Sequence, residues 1–442
     1  MGKINIGKIL KKANENMPEF IKKMLSSSIR NRVIKNKTFL EQVSEIDKFY
    51  KLNSEQKEEY HLSKLKEILI YSYENTIFYR KRFDEAGFNP YKFNNVEELN
   101  KIPTINKQIV LDNFDELISN EKIDHYVAYT GGSTGRPLTI LLDTASIYKE
   151  KAFVYKYWSK FGYDYKKSKI ATFRGLEFKK KLYKYNPIDT QIILNPFKLN
   201  ENNIEEYVKI IDKFNPEFFH GYISAIYNFC RLINKKGLKL KSNIKCVFFV
   251  SENTSEKEVD YIRETLNCET NIFYGHSERA VFAEYIEGGY EFNNLYTHVD
   301  LLNTTETNIY EIACTGLINK KMPLIRYVPD DSIQITDKGI QVHGHWDKEL
   351  LIGENDEKIS IASINFHNDI FSKIKYYQFE QFERGKVTLN IVEDTKINDK
   401  DKELIINTIN SKLKNVINTE IKLVDKIELT NRGKYKKIIK HI

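Results

Sequence analysis

The chain has 442 residues, 41% hydrophobic and 13% aromatic, which allows two or three domains with sizeable cores and excludes a disordered chain. Its net charge of +8 is spread along the sequence with no Arg-rich or aromatic-interleaved stretch, so no nucleic-acid partner is expected, and an acidic small substrate such as a nucleotide suits the balance. No run of 18 apolar residues occurs, so no transmembrane helix is expected.

The amino-terminal stretch MGKINIGKILKKANENMPEFIKKML has neither a continuous apolar segment nor a small-residue cleavage site, and Ile6 breaks the myristoylation pattern. Its periodicity is that of a basic amphipathic helix. It belongs to a helical extension over residues 1–60 that either packs on the body of the protein or touches a membrane surface. Residues 40–120 read mainly helical, with a connecting turn at EAGFNPYKF.

The segment AYTGGSTGRPLTI, Ala128 to Ile140, packs glycines and hydroxyl residues together and stops at a proline. Glycines let backbone N–H groups converge and hydroxyls add donors, an arrangement suited to phosphate. The strand-to-helix phosphate loop G-x-x-x-x-G-K-[ST] is excluded, because Gly135 is followed by Arg136 and Pro137 and then by a strand-like LTILLD. This predicts a phosphate loop between two strands; a ligand-free hairpin turn has the same local signature.

Helical periodicity follows in DTASIYKEKAFVYKYWSKFG, with apolar Ile147, Val154, Tyr157, Trp158 and Phe161 and a stop at Gly162. Strand-then-helix units come next: PEFFHG before ISAIYNFCRLINKKG, the fully apolar IKCVFFV before a capping box at Ser255 and Glu258, and TNIFY ending at Gly275. Such alternation predicts a parallel sheet with ligands beyond the carboxyl ends of its strands, where HGY, VSE and YGHSE fall. TNIYEIACTG and DSIQITDKGIQVHG read as antiparallel strands with glycine turns. After the polar stretch GHWDKELLIGENDEK, a strand–helix–strand unit appears in KVTLNIVED, DKELIINTINSKLKNVI and IKLVDKIEL.

The cysteines Cys230, Cys246, Cys268 and Cys314 have no C-x-x-C pairing and sit in apolar runs, as buried reduced thiols of a cytoplasmic protein do. His343 and His345 form an H-x-H without surrounding ligands, so a Cys/His metal site is not expected.

The order of these pieces resembles the adenylate-forming superfamily of acyl- and aryl-CoA ligases, luciferases and peptide-synthetase adenylation domains. The branch most similar is the phenylacetate–CoA ligase group and its relatives in capsular-polysaccharide loci. The resemblance runs over residues 70–442 and rests on FYRKRFDEAGF, LNKIPTINKQIV, TGGSTGRPL, HGYISAI, YGHSE, MPLIRYVPDD, GHWD and RGKYKKI. It implies an α/β fold. A large N-terminal domain over 1–346 would carry parallel sheets flanked by helices plus a small antiparallel β part. A small α+β C-terminal domain over 347–442 would swing on a hinge.

The resemblance also assigns residues. Thr130, Gly131, Gly132, Ser133, Thr134 and Gly135 correspond to the loop on the β- and γ-phosphates of ATP. Tyr274 would lie against the adenine, with Glu252, Gly275, His276, Ser277 and His345 completing the nucleotide contacts. Asp331 would bind the ribose hydroxyls, with adjacent Asp330 its rival, and Glu278 would hold Mg²⁺. Asp347 would be the hinge, and Lys434 the catalytic lysine that reaches the carboxylate and α-phosphate. In isolation GKYKK reads as a solvated basic tail, and only its place after IELTNR lifts it.

The sequence departs from the family's pattern at several of these positions. Gly131 stands for a usual serine, Arg136 for lysine, Pro329-Asp330 for Thr-Gly and His345 for arginine. The implied activity is ATP-dependent activation of a carboxylic acid, with ATP and Mg²⁺ as cofactors. The acyl acceptor is left open between coenzyme A, an amine or hydroxyl of a sugar, and a carrier protein. A catalytically degenerate nucleotide-binding partner of the same fold is the alternative.

Overall fold

The computed structural model describes residues 30–31, 33–129, 138–174, 181–188, 190–250, 256–304, 308–329, 331–343, 350–360, 373–393, 395–413, 416–428 and 438–442. The amino-terminal basic stretch of residues 1–25, the Gly-rich residues 130–137 and Ser255 of the expected capping box lie outside these residues. The chain forms two compact units. One contains the described residues of Met1–Leu40, Trp158–Val250 and Thr254–Thr270; the other contains those of Glu41–Tyr157, Ser251–Asn253 and Asn271–Ile442.

The described residues begin helically, and residues 40–85 bear out the helical reading of that stretch. After α1 (Lys37–Phe49), the Gln56 N–H donates to the Asn53 side chain and the Asn53 N–H donates to the Gln56 side chain, a capping box that opens α2 (Ser54–Asn75). Thr76 closes α2 with its N–H on the Ser72 carbonyl and opens α3 (Ile77–Glu85) by accepting from the Tyr79 N–H. Strands β1 (His125–Tyr129) and β2 (Thr139–Asp143) pair antiparallel, with Tyr129 opposite Thr139, so the Gly-rich segment is flanked by two strands of one hairpin. The Asp143 carboxylate accepts from the Ser146 N–H at 2.6 Å and starts α4 (Thr144–Ser159).

The first unit holds the parallel sheet. Its elements are β3 (Ile170–Phe173), β4 (Tyr183–Asn186), β5 (Gln191–Leu194), α5 (Ile204–Phe214), β6 (Phe218–Gly221), α6 (Ile223–Lys235), β7 (Cys246–Phe249) and α7 (Glu256–Leu266). The strands lie in the order β7-β6-β3-β5-β4, parallel except for the β4–β5 pair. β3, β6 and β7 are buried along their whole length, as their largely apolar sequences suit, with Thr172 and His220 the buried polar residues among them. Trp158 stacks on Phe248 at 4.5 Å, and Phe248 on Phe218 at 5.5 Å. At the end of β6, a Cβ on Gly221 would lie 2.2 Å from the Phe173 carbonyl oxygen, so only glycine fits.

The second unit takes up β8 (Glu269–Gly275) from Asn271 and continues with β9 (Phe282–Ile286), β10 (Gly289–Phe292), β11 (Thr297–Asn303), β12 (Ile309–Gly316), β13 (Ser332–Thr336) and β14 (Gly339–His343). These run in the order β11-β12-β13-β14-β10-β9-β8, antiparallel throughout. The same unit contains the C-terminal elements. Hairpin β15 (Leu350–Ile352) and β16 (Lys358–Ser360) precedes β17 (Ile374–Glu383), β18 (Lys386–Glu393), α8 (Asp399–Leu413), β19 (Asn418–Leu423) and β20 (Ile438–Lys440). The predicted strand–helix–strand unit is β18–α8–β19, with β18 and β19 parallel. Strands β17 and β20 complete the sheet and were not evident from the pattern. This sheet has its own core, in which Tyr377, Phe379, Leu389 and Ile391 meet Ile405 and Ile409.

All four cysteines are free thiols; Cys230, Cys246 and Cys314 are buried. Cys268 departs from that expectation and is half-buried, because it sits in the short link between α7 and β8. Among the described residues, no helix is long and apolar enough to cross a membrane.

Candidate active site

The motif YGHSE leaves the end of β8 and brings together two of the residues assigned from sequence. Tyr274 donates from its hydroxyl to Asp331 Oδ2 at 3.0 Å, and His276 Nε2 donates to the same oxygen at 2.9 Å. The Tyr274 and His276 rings meet edge-to-face at 4.8 Å. All three side chains are almost wholly enclosed. Burial foremost, and then the charge of Asp331, push the Tyr274 hydroxyl far above the ordinary phenol range, so it remains a donor at every physiological pH. Two donors on one carboxylate oxygen fix the orientation of Asp331.

Backbone pairing explains why Asp331 arrives there. The segment before it is held on both sides. Tyr327 exchanges hydrogen bonds with Cys314 of β12, at 2.7 and 2.8 Å. On the other side the Ile105 N–H donates to the Arg326 carbonyl and the Val328 N–H donates to the Ile105 carbonyl. Two motifs distant in sequence, LNKIPTINKQIV and MPLIRYVPDD, are thus neighbours. Arg326 reinforces the join. It is buried in a left-handed conformation with φ +52°, and donates to the carbonyls of Leu99 and Ile102 at 2.6 and 2.9 Å and to the Asn100 side chain at 3.1 Å.

The Arg326 guanidinium also lies 3.1 Å from the Asp300 carboxylate, where a histidine pair begins. His298 Nε2 is 3.1 Å from Asp300, His298 Nδ1 is 3.0 Å from His61 Nε2, and His61 Nδ1 is 2.5 Å from the Asn294 carbonyl. A carbonyl only accepts, so the His61 Nδ1–H donates to it and Nε2 accepts from His298. Burial, and then the His298 ring, lower the His61 pKa to about 4. Neither histidine was singled out in the sequence, where nothing connects α2 to β11.

Glu278 follows in the turn after β8 and is half-buried. Its charge reaches Tyr274 and Cys314, contributing to their raised pKa values after burial and the Asp331 charge. Arg279 comes next, in a left-handed conformation with φ +59°, its N–H donating to the His276 carbonyl at 3.2 Å. Its guanidinium is paired with Glu150 of α4. The Tyr296 hydroxyl donates to the same Glu150 carboxylate. Sequence reasoning passed over this group, although one signal was present: Glu150 falls on the apolar stripe of α4, between Ile147 and Val154, where a lone charge needs a buried partner.

Ser277 and Gly275 lie exposed in the same turn. Thr130, Gly131, Gly132, Ser133, Thr134, Gly135, Glu252, His345, the hinge Asp347 and Lys434 lie outside the described residues. Among the described residues, no group of three or more His, Cys, Asp or Glu converges on a point. Glu278 is a half-buried carboxylate, and a carboxylate fits Mg²⁺ held together with substrate phosphates.

The chain is similar to several known proteins. Residues 351–441 match the CapK C-terminal domain family. The chain is 26% identical to Protein CapK of Staphylococcus aureus over 398 residues, 86% of this chain and 88% of that protein. It is 36% identical to the phenylacetate–coenzyme A ligase of Escherichia coli (strain K12) over 80 residues, 17% of this chain and 18% of that one. Its fold is that of 2-hydroxyisobutyryl-CoA ligase. The crystal structure of that enzyme with 2-HIB-AMP and CoA aligns with a TM-score of 0.55 at 15% identity, covering 88% of this chain and 90% of the other. A second structure of the same ligase, in the postadenylation state with 2-HIB-AMP, aligns with a TM-score of 0.52 over the same shares. These similarities bear out the resemblance carried by the motifs, to the adenylate-forming superfamily and its phenylacetate–CoA ligase-like branch.

Proposed function

We propose that this chain activates a carboxylic acid with ATP as an acyl-adenylate, releases pyrophosphate, and passes the acyl group to coenzyme A or to an amine or hydroxyl acceptor in surface-polysaccharide biosynthesis. The observation that carries the reading is the convergence of Tyr274 and His276 on Asp331, with Glu278 in the next turn. The relatives support it: one is named a coenzyme A ligase, and the solved ligase of the same fold holds an acyl-adenylate and CoA. The polysaccharide role rests on CapK alone.

A carboxylate attacks the α-phosphate in line, both reactants are anions, and catalysis is therefore positioning plus charge neutralisation. In this reading Asp331 accepts from the ribose hydroxyls, its orientation fixed by Tyr274 and His276. Tyr274 borders the adenine, and Gly275 and Ser277 line its approach. Residues 130–135, entered from β1 and left through β2, donate to the β- and γ-phosphates. Glu278 would hold Mg²⁺, which would supply charge neutralisation for the leaving pyrophosphate. Lys434 carries a positive charge to the reacting carboxylate and α-phosphate from a C-terminal domain that turns about Asp347.

Carboxylate-dependent ATP–pyrophosphate exchange tests this, over aryl acids, amino acids, hydroxy acids and short fatty acids. Exchange with one class is expected, with AMP as the nucleotide product. Lys434→Ala should abolish exchange while leaving ATP binding nearly intact. Full activity in that variant removes the lysine assignment, and ADP as product removes the reading as a whole.

A further inference from the structure

Where α1, α2 and α4 come together, one lysine is left out of the ion pairs. A cavity of about 40 Å³ is lined by Glu45 of α1, Lys64 and Glu67 of α2, Lys149 of α4, and Lys320 in the chain after β12. Leu295 and Ile318, both almost wholly buried, also line it. Each carboxylate already has its cation. Glu45 Oε1 lies 2.7 Å from Lys64 Nζ and accepts from the Tyr60 hydroxyl at 2.6 Å, while Oε2 accepts from the Gln42 side chain at 2.8 Å. Glu67 lies 2.9 Å from Lys320 and 3.8 Å from Lys64. Asp143, which caps α4, accepts from the backbone N–H groups of Ser146 and Lys320, one on each oxygen and both at 2.6 Å. Lys149 makes no hydrogen bond or ion pair to any described residue.

We propose that this cavity binds one small, singly charged anion such as chloride, held by the Lys149 ammonium. Charge is the first argument. Three lysines and two glutamates line the cavity, so one positive charge is in excess. A half-buried ammonium with no counter-charge is costly, and burial lowers the Lys149 pKa against the pull of Asp143. An anion beside the ammonium removes that cost and adds a charge-assisted hydrogen bond. The excess is a single charge, and Glu45 and Glu67 would repel a phosphate or sulfate that carries more. Lys64 and Lys320 are tied to their carboxylates and lie over the rings of Tyr60 and Tyr71, at 5.3 and 5.0 Å, so they strengthen the field and leave the direct contact to Lys149. Size is the second argument. A water-sized particle needs roughly 10–15 Å³ of such space, so chloride or formate fits and a sugar acid does not. An anion held here ties α4 to α2 and to the chain after β12, and its occupancy stabilises that layer.

The experiment titrates the full-length protein, freed of halide, with chloride and follows the chlorine NMR line width at constant ionic strength, gluconate being the balancing anion. Saturable broadening is expected, reversed by formate or nitrate and not by more gluconate. Lys149→Met should weaken chloride binding by about tenfold or more, the loss of one hydrogen bond to a charged group. Glu67→Gln should do the opposite and tighten it, because the lining then carries a second excess charge. Glu67 is 53% exposed, so that variant should fold. Thermal unfolding in chloride and in gluconate should show a chloride-dependent rise in midpoint for the wild type that Lys149→Met lacks. Broadening that does not saturate, or that a folded Lys149→Met leaves unchanged, overturns the proposal. If Lys149→Met does not fold, Glu67→Gln decides: tighter binding supports the site, and unchanged or weaker binding removes it.

Discussion

His61 is a residue whose surroundings fix its protonation. Its ring is buried, donates to the Asn294 carbonyl and accepts from His298, with Asp300 and Arg326 beyond. Its pKa is lowered from 6.5 to about 4, so between those values the unfolded chain binds a proton that the folded chain refuses. Stability should be full above pH 6.5 and decline as the pH falls toward 4, by up to roughly 3 kcal/mol from this group. Urea unfolding of the wild type and His61→Gln at pH 7.5 and pH 5 checks this. The variant should be weaker at pH 7.5 but lose less on acidification, and equal losses would mean that other groups carry the acid sensitivity. At this scale the site was partly legible beforehand. Tyr274, His276, Glu278 and Asp331 stood out through their motifs, and the structure brings the first two onto Asp331. Arg279 and Glu150 did not stand out, because a pair made across the fold leaves no local mark beyond one charge on an apolar stripe.

At the level of elements, periodicity was informative where burial is one-sided or complete. The apolar runs that became β6 and β7 and the helical faces of α4, α6 and α8 were readable for that reason. β17 was hidden because its alternation is broken by polar residues facing inward. Gln378 and Gln381 are buried, with Gln381 donating to the Ile352 and Glu383 carbonyls and Gln378 to that of Glu428. Apart from Glu383 at the end of β17 itself, these partners come from another strand and a loop, which a linear pattern does not reveal. Gly221 gives a sharp prediction at this level. Gly221→Ala would set a Cβ 2.2 Å from the Phe173 carbonyl oxygen in a parallel sheet buried on both faces. Backbone has to move, and overpacking of this kind costs about 1–3 kcal/mol or more. A lowered urea midpoint, with an unchanged slope, is expected; an unchanged midpoint would mean that β6 and β3 separate freely at that end.

For the molecule as a whole, the C-terminal sheet has a core of its own, in which α8 covers one face through Ile405 and Ile409. We expect a fragment of residues 347–442 to unfold cooperatively in urea, with dispersed amide resonances before the transition. A fragment that is collapsed and non-cooperative would place the boundary elsewhere. The fold class was legible from the order of elements together with the motifs. The flanking of the Gly-rich segment by paired strands was legible too, since Pro137 and the strand-like run after it exclude a helix there.

The cysteines carry a consequence for chemistry with sulfur. Burial drives all four thiols upward, and even half-buried Cys268 is pushed up to about 12. At neutral pH that leaves about one thiolate in 100,000 at Cys268. On the adenylation reading proposed above, none of the chain's four thiols stands ready to take the activated acyl group as a thioester.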